Sequence, residues 1–355
     1  MALGIRWRSA VHQAEDLQCL NDGQYGSRPR RSAVDPVILE EVQYEISRAT
    51  RTSLAITSYD AMVCYDRIVP SVAMLASRKY GVAPMVTRMN AETLRAAKYR
   101  LKTETGMADK GYTHEDEVHP IYGTGQGSTN SPAIWCFISS TLFDCYDELA
   151  HTAEYFDPTH NLEIEVGMTG FVDDCGGQTT ERCFDPVENH ERLRARVEHN
   201  AQAWTNLLSA SGGALELTKC SCHMVEWQFS IQGAPVLVSK IKTKPILVQV
   251  TDPHTRKIHQ VHVLSPFQAH KTLGHHKEPA GTQATQFKSL KSKSDTITEF
   301  LWQDQLSRVE AWTYYYACYL PAVAGVSALG LQHDGTTVGN SPTQSYVHHC
   351  GPLWI

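Results

Sequence analysis

A chain of 355 residues, 42% hydrophobic and 20% charged, is long enough for two or three lobes that each bury a core, and its composition excludes disorder. Its net charge of −6 excludes a uniformly basic nucleic-acid binder, so any phosphate-binding surface has to be local. Ten cysteines without regular spacing, in a chain with no secretory signal, argue against a disulfide framework and for an intracellular location, cytoplasmic or nuclear.

The first thirty residues read as a short helix running into a Gly-rich basic loop, QYGSRPRRS at 24–32. Val34, Val37, Ile38, Val42 and Ile46 then recur at spacings of three and four, which predicts a helix with these residues as its apolar face. The run LAITSYD at 54–60 predicts a buried strand that delivers Asp60 at its carboxyl end. Helical pattern returns at 69–80 and at 91–102, the second with basic residues at 95–102, whereas 107–119 is polar and acidic and reads as a loop. The Gly- and hydroxyl-rich stretch 122–133 opens an apolar helix to about residue 149, with Ser131 as its cap and Pro132 at the first helical position. Exposed amides at such a junction suit a phosphate or a sugar hydroxyl.

LEIEVGM at 162–168 alternates with the strand period and leads into GFVDDCGG at 170–177, so Asp173 and Asp174 are expected at a hairpin tip. Adjacent like charges resist being held in a tight turn unless a cation or water relieves them. A solvated turn is the plain alternative. Leu193, Val197, Ala201, Trp204 and Leu208 mark an amphipathic helix stopped by Ser211, Gly212 and Gly213, and a short strand is expected at 214–219. CSCH at 220–223 lacks a second Cys/His pair at finger spacing, which argues against zinc. Strands are expected within 227–264, including a hairpin of 246–250 with 258–263, and a helix with interleaved lysines from 287. From 311 to 331 no residue is charged, but Pro321 and two glycines point to a buried helix broken at the proline rather than a membrane span. An unstructured tail is expected at 332–355.

Asp60, Asp173 and Asp174 are carboxylates brought in from neighbouring strands, an oxygen set able to hold two hard divalent cations for in-line phosphoryl transfer. At this point the chain resembles the palm domain of reverse transcriptases. DAMVCYDRI at 60–68 resembles motif A, QGSTNSP at 126–132 motif B, FVDD at 171–174 motif C, GGALELTK at 212–219 motif D and KTLG at 271–274 the primer-grip motif E. The form of motif B is similar to that of non-LTR retrotransposons and group II intron enzymes, and QYGSRPRRS resembles the fingers motif of that branch.

The resemblance implies an α/β (α+β) palm, an antiparallel sheet packed on helices. It implies partial fingers at 1–53, the palm at 54–226, a palm extension with the primer grip at 227–285 and a partial helical thumb at 286–331. The first fingers motif lacks room ahead of Gln24, and no endonuclease or ribonuclease H domain is visible, so a piece of a mobile-element reading frame is expected. The implied activity is RNA-directed DNA polymerisation with two magnesium ions, or manganese in their place, acting on an RNA or DNA template with a primer and on deoxynucleoside triphosphates, with no membrane partner. Asp60 and Asp173 would be the metal ligands, with Asp174 in support and the carbonyl of Ala61 helping. Tyr65 would be a steric gate against the ribose 2′-hydroxyl. Gln126 and Gly127 would lie against the incoming nucleotide, Lys219 would face its triphosphate, and Arg28 would contact template or nucleotide. The rival readings are an inactive remnant that only binds nucleic acid, because fingers are missing, and an RNA-dependent RNA polymerase. Tyr65 and Phe171-Val172 favour DNA synthesis over the latter.

Overall fold

The computed structural model describes all residues except 1, 63, 114–122, 126–127, 184, 239–247, 304–305 and 328–355. The chain divides into two compact units: residues 1–273 with 278–281, and residues 274–277 with 282–355. In the first, the order is α1 (Ala2–Asp16), α2 (Val34–Thr50), β1 (Ser53–Asp60), α3 (Cys64–Arg67), α4 (Pro70–Lys79), α5 (Pro84–Ala96), β2 (Lys98–Thr103), β3 (Gly106–Thr113) and α6 (Ser131–Leu149). It continues through β4 (Ala153–Asp157), β5 (Leu162–Val166), β6 (Met168–Phe171), β7 (Asp174–Glu181), α7 (Pro186–Ala210), β8 (Ser221–Val225), β9 (Trp227–Phe229), β10 (Pro235–Leu237), β11 (Val248–Thr251), β12 (Ile258–Leu264) and β13 (His270–Thr272). The second unit holds β14 (His275–Lys277), α8 (Ala284–Gln303), α9 (Arg308–Tyr314), a π-helical turn at Tyr315–Tyr319 and α10 (Leu320–Ser327).

The architecture is α/β, an antiparallel-dominated sheet on helices. Its strands run β11-β12-β8-β1-β7-β6, and every pairing is antiparallel except β12 with β8. Because side chains alternate along a strand, Ala55, Thr57 and Tyr59 point to one face while Leu54, Ile56, Ser58 and Asp60 point to the other. The first face is the main core. It packs on α6 and α7, where Trp204 is 1% exposed and meets the rings of Tyr59, Phe143 and Tyr146 at 6.3, 5.6 and 6.0 Å. A Pro at the start of each helix and the Asp185 cap of α7, which accepts from Val187 N and Glu188 N at 3.0 and 2.8 Å, fix where these helices begin.

On the opposite face lies a smaller apolar cluster of Tyr44, Leu54, Ile56, Ala153 and Val225. Tyr44 comes from α2, and here the sequence reading is corrected. The expected apolar face is not the buried one: Ile38 and Val42 are 43% and 45% exposed, and the helix turns Pro36, Val37, Glu40, Gln43, Tyr44 and Ser47 inward. This inner face meets polar neighbours. Tyr155 Oη donates to Gln43 Oε1 at 2.9 Å, Ser47 Oγ to Thr52 O at 2.7 Å, and the Glu40 carboxylate lies over Gly176, whose hydrogen leaves it room.

Further corrections follow from pairing. Residues 98–113 are neither a helix end nor a loop but the β2–β3 hairpin. The alternating strand 162–166 pairs with β4, and the strand that enters the Asp173-Asp174 turn is the short β6. Residues 214–219 form no strand beyond a bridge of Leu215 with Ala61, and the 220–223 cluster runs from Cys220 into β8, next to β1 in the centre of the sheet. Cys222 and His223 therefore point to opposite faces, which removes the zinc arrangement by geometry. Ser131 is the first helical residue of α6 rather than its cap, which is Asn130. Pro321 does not break the last helix, since the π-turn just before it widens the backbone where the proline ring would strike a carbonyl. Nor is the uncharged run buried throughout, because Trp312 on α9 and Tyr316 in the π-helical turn are 47% and 61% exposed. Among the described residues no helix is long and apolar enough to cross a membrane. The expected tail at 332–355 lies outside the described residues.

Two outcomes follow. Trp204→Ala removes the ring on which three others converge and should cost about 3–5 kcal/mol of stability, read as a lowered urea midpoint. His223 lies buried on β8 with Nε2 2.9 Å from Gln268 O, and burial pushes its pKa down to about 4 from an ordinary 6.5. The unfolded chain thus takes up a proton near 6.5 and the folded chain only near 4, so stability holds above pH 6.5 and falls as the pH drops towards 4. His223→Gln keeps a donor for Gln268 and should flatten that part of the stability profile.

Candidate active site

The exposed end of the sheet is where the carboxylates meet. In the β1–β7 ladder Asp60 is directly opposite Asp174, which puts their Cα atoms about 4.5–5.5 Å apart on the same face. β6 and β7 close on each other as Phe171 opposite Asp174, leaving Val172 and Asp173 as a two-residue turn with Asp173 exposed at its tip. Val172 carries φ 63, while Asp173 is not left-handed, so the turn has the type II′ pattern with a β-branched residue where glycine is favoured. A Val in that region is a strained outlier, held only when its surroundings impose it.

Four contacts impose it. Trp135 Nε1 of α6 donates to Val172 O. Tyr25 N donates to Gly170 O at 2.9 Å and Gly170 N to Gly23 O at 2.8 Å, so the 23–26 loop is stitched to β6. Gly26 fits against the turn so closely that a Cβ there would fall 2.5 Å from Val172 N. The loop is itself pinned. Gln24 is fully buried, its amide bonded to Ser139 Oγ and its Oε1 accepting from Gly26 N at 2.9 Å.

Electrostatics reports the crowding. Burial and then the charges of Asp173 and Asp60 push the Asp174 carboxyl up to about 6. Burial also pushes Cys64 and Tyr65 up to about 12, and Asp173 contributes to both. Lys219 faces the group from the other side, its Nζ 3.6 Å from Asp60 Oδ2 with most of the side chain in water. Backbone bonds hold its segment beside Asp60: Glu216 N donates to Asp60 O at 2.9 Å and Met62 N to Ala214 O at 2.9 Å.

The structure thus brings Asp60, Asp173, Asp174 and Lys219 together, with Ala61 buried beside them in its bridge to Leu215. Tyr65 stands on α3, half-buried, its ring edge-on to Trp135 at 6.4 Å, and its carbonyl accepts from Thr124 N at 2.8 Å. Gln126 and Gly127 lie outside the described residues. Their neighbours are fixed: Ser131 Oγ donates to Thr124 O and Gly125 O at 2.9 and 2.8 Å, and Gly123, at φ 94, abuts the backbone of Tyr65 and Asp66. Arg28 does not face the site. It is 8% exposed, its guanidinium donating to both Glu15 carboxylate oxygens at 2.5 and 3.1 Å and to Asn21 O and Gln24 O at 2.8 Å each, so it braces the loop instead of offering donors to a template or nucleotide.

Hard oxygen donors, one of them raised to about 6 by burial and by its charged neighbours, are the chemistry that a divalent cation would relieve. Among the described residues, however, no group of three or more His, Cys, Asp or Glu side chains forms a set that could hold a metal ion. Sequence reasoning missed Trp135, and it named Gln24, Gly26 and Val172 only as members of motifs without seeing that they pack together. Only the glycine carried a local signal.

No model of a known protein family matches the chain, and no curated protein matches it. Among solved structures it is similar to telomerase from Candida albicans in complex with a TWJ fragment of telomeric RNA, at 13% identity and a TM-score of 0.40, over 84% of this chain and 42% of that one. It is also similar to Candida tropicalis telomerase with a TWJ fragment, at 11% identity and 0.41 over 97% and 49%, and to an apo form truncated from the C-terminal domain, at 12% and 0.38 over 71% and 45%. The chain spans less than half the length of each.

Gly26→Ala should drive a methyl into the Val172 backbone and destabilise the chain by about 1–3 kcal/mol, as overpacking does, read by thermal or urea unfolding. An unchanged midpoint would show that the loop and turn are not in the contact described.

Proposed function

We propose that this chain is the polymerase core of an RNA-directed DNA polymerase of the retrotransposon type, built on a palm. The observation that carries the reading is the register of β1 against β7, which sets Asp60 opposite Asp174 and beside the Asp173 turn. The order of the sequence motifs around that point supports it.

In this reading Asp60 and Asp173 would be drawn together on magnesium with the Ala61 carbonyl, and Asp174 would support them. When bound, the metal supplies charge neutralisation for the attacking hydroxyl and the departing pyrophosphate. The chain's own groups do the rest. Lys219 has a solvent-exposed ammonium beside Asp60 and protonates the leaving pyrophosphate. Tyr65, braced by Trp135 at 6.4 Å, presents a ring that a ribose 2′-hydroxyl would strike. Gln126 and Gly127 receive the sugar and base. Template, primer and deoxynucleoside triphosphates are the substrates.

One observation favours the second reading, a chain that binds nucleic acid without catalysis: the described side chains are not drawn into a metal-holding set. Primer extension on the purified chain with magnesium separates the two. Extension that falls by about a thousandfold or more in Asp173→Asn supports catalysis, since a metal ligand is worth several kcal/mol of barrier. Wild-type binding of a primed template without extension supports the second reading, and extension that survives the substitution removes the site. Tyr65→Ala should raise ribonucleotide use relative to deoxynucleotide by roughly tenfold or more, as losing a contact worth about 1–3 kcal/mol would.

A further inference from the structure

Between α5 and α6 the chain builds an element that the fold does not need. Among the described residues β2 and β3 pair only with each other, as a two-stranded sheet, and every residue from 100 to 111 is exposed. An isolated hairpin of this kind buries almost nothing and adds little to stability. What it carries is charge. Lys98, Arg100, Lys102 and Lys110 lie on it against Glu104 and Asp109, in a chain whose total is −6. Among the described residues none of the four cations enters an ion pair. Lys98 and Arg100 share one face of the strand, about 6.6–6.8 Å apart along it, a step of the order of that between successive phosphates in an extended strand. The root of the hairpin is fixed close to the candidate site: Tyr99 Oη is 3.5 Å from where a Cβ on Gly125 would be, and Gly125 immediately precedes Gln126.

We propose that the β2–β3 hairpin binds the sugar-phosphate backbone of a single-stranded nucleic acid, holding the strand beside the Gly123–Gly125 loop. The inference rests on the polymerase reading for the identity of the strand, and its cations act without base recognition. Phosphate neutralisation releases counterions, so the contact has a signature that a structural role would not have, a dependence of affinity on salt.

The test is fluorescence anisotropy with labelled single-stranded oligonucleotides of about 12 nucleotides, within the usual single-strand site size, titrated at several salt concentrations. Three cations contribute about 0.7 each to the slope of log affinity against log salt, so Lys98→Ala/Arg100→Ala/Lys102→Ala should flatten the slope by about 2 relative to the wild type. The charge-keeping pair Lys98→Arg/Lys102→Arg should retain the wild-type slope, and circular dichroism should report all chains folded. Wild-type binding whose slope the alanine variant leaves unchanged overturns the hairpin contact and spares the polymerase reading. A wild type that binds no strand at all overturns both.

Discussion

Two carboxylates facing each other across an antiparallel ladder repel, and nothing in local sequence preference calls for them. Here the register of β1 against β7 enforces the juxtaposition, because Ser53 to Asp60 pair residue by residue with Glu181 to Asp174. That register is locked by burial. A slip of one residue would turn Ala55 and Tyr59 away from Trp204 and expose the main core, so hydrophobic free energy from the middle of the sheet holds the acids together at its end. The raised carboxyl of Asp174 is the electrostatic counterpart of that constraint.

The remainder of the site is arranged around this fixed pair. The sheet offers one face to α6 and α7, while the other carries the smaller apolar cluster and the polar side of α2, which reaches to Gly176. Asp173 extends the pair into the open, on a turn whose Val172 has an unfavourable φ maintained by Trp135 from below and by the Gly23–Gly26 loop from the side. Arg28, engaged with Glu15 and two backbone carbonyls, is the keystone of that loop. Its basic sequence thus serves as scaffold at one position while Arg30 and Arg31 remain at the surface.

Much of this was legible in the residues. The buried strand ending in Asp60, the apolar helix after the Gly-rich loop and the long helix through Trp204 are periodic enough to be read directly. Other elements were not, for physical reasons. On α2 the sheet beneath offers hydroxyls, amides and a glycine, so the polar side of the helix is the complementary one and Ile38 and Val42 face outward. β8 is only five residues long and was read as a Cys/His cluster, although its role depends on a partner strand far away in sequence. The β2–β3 hairpin has no buried face, and a strand without one shows no period-two hydrophobicity. The strain at Val172 and the bond it accepts from Trp135 exist only in three dimensions.

The most direct examination of the account is anomalous diffraction from crystals of the chain grown with manganese. The account predicts a peak bounded by the carboxylates of Asp60 and Asp173, with Asp174 alongside. Manganese bound elsewhere, or those carboxylates left without a shared ion in a chain that still extends a primer, would contradict it.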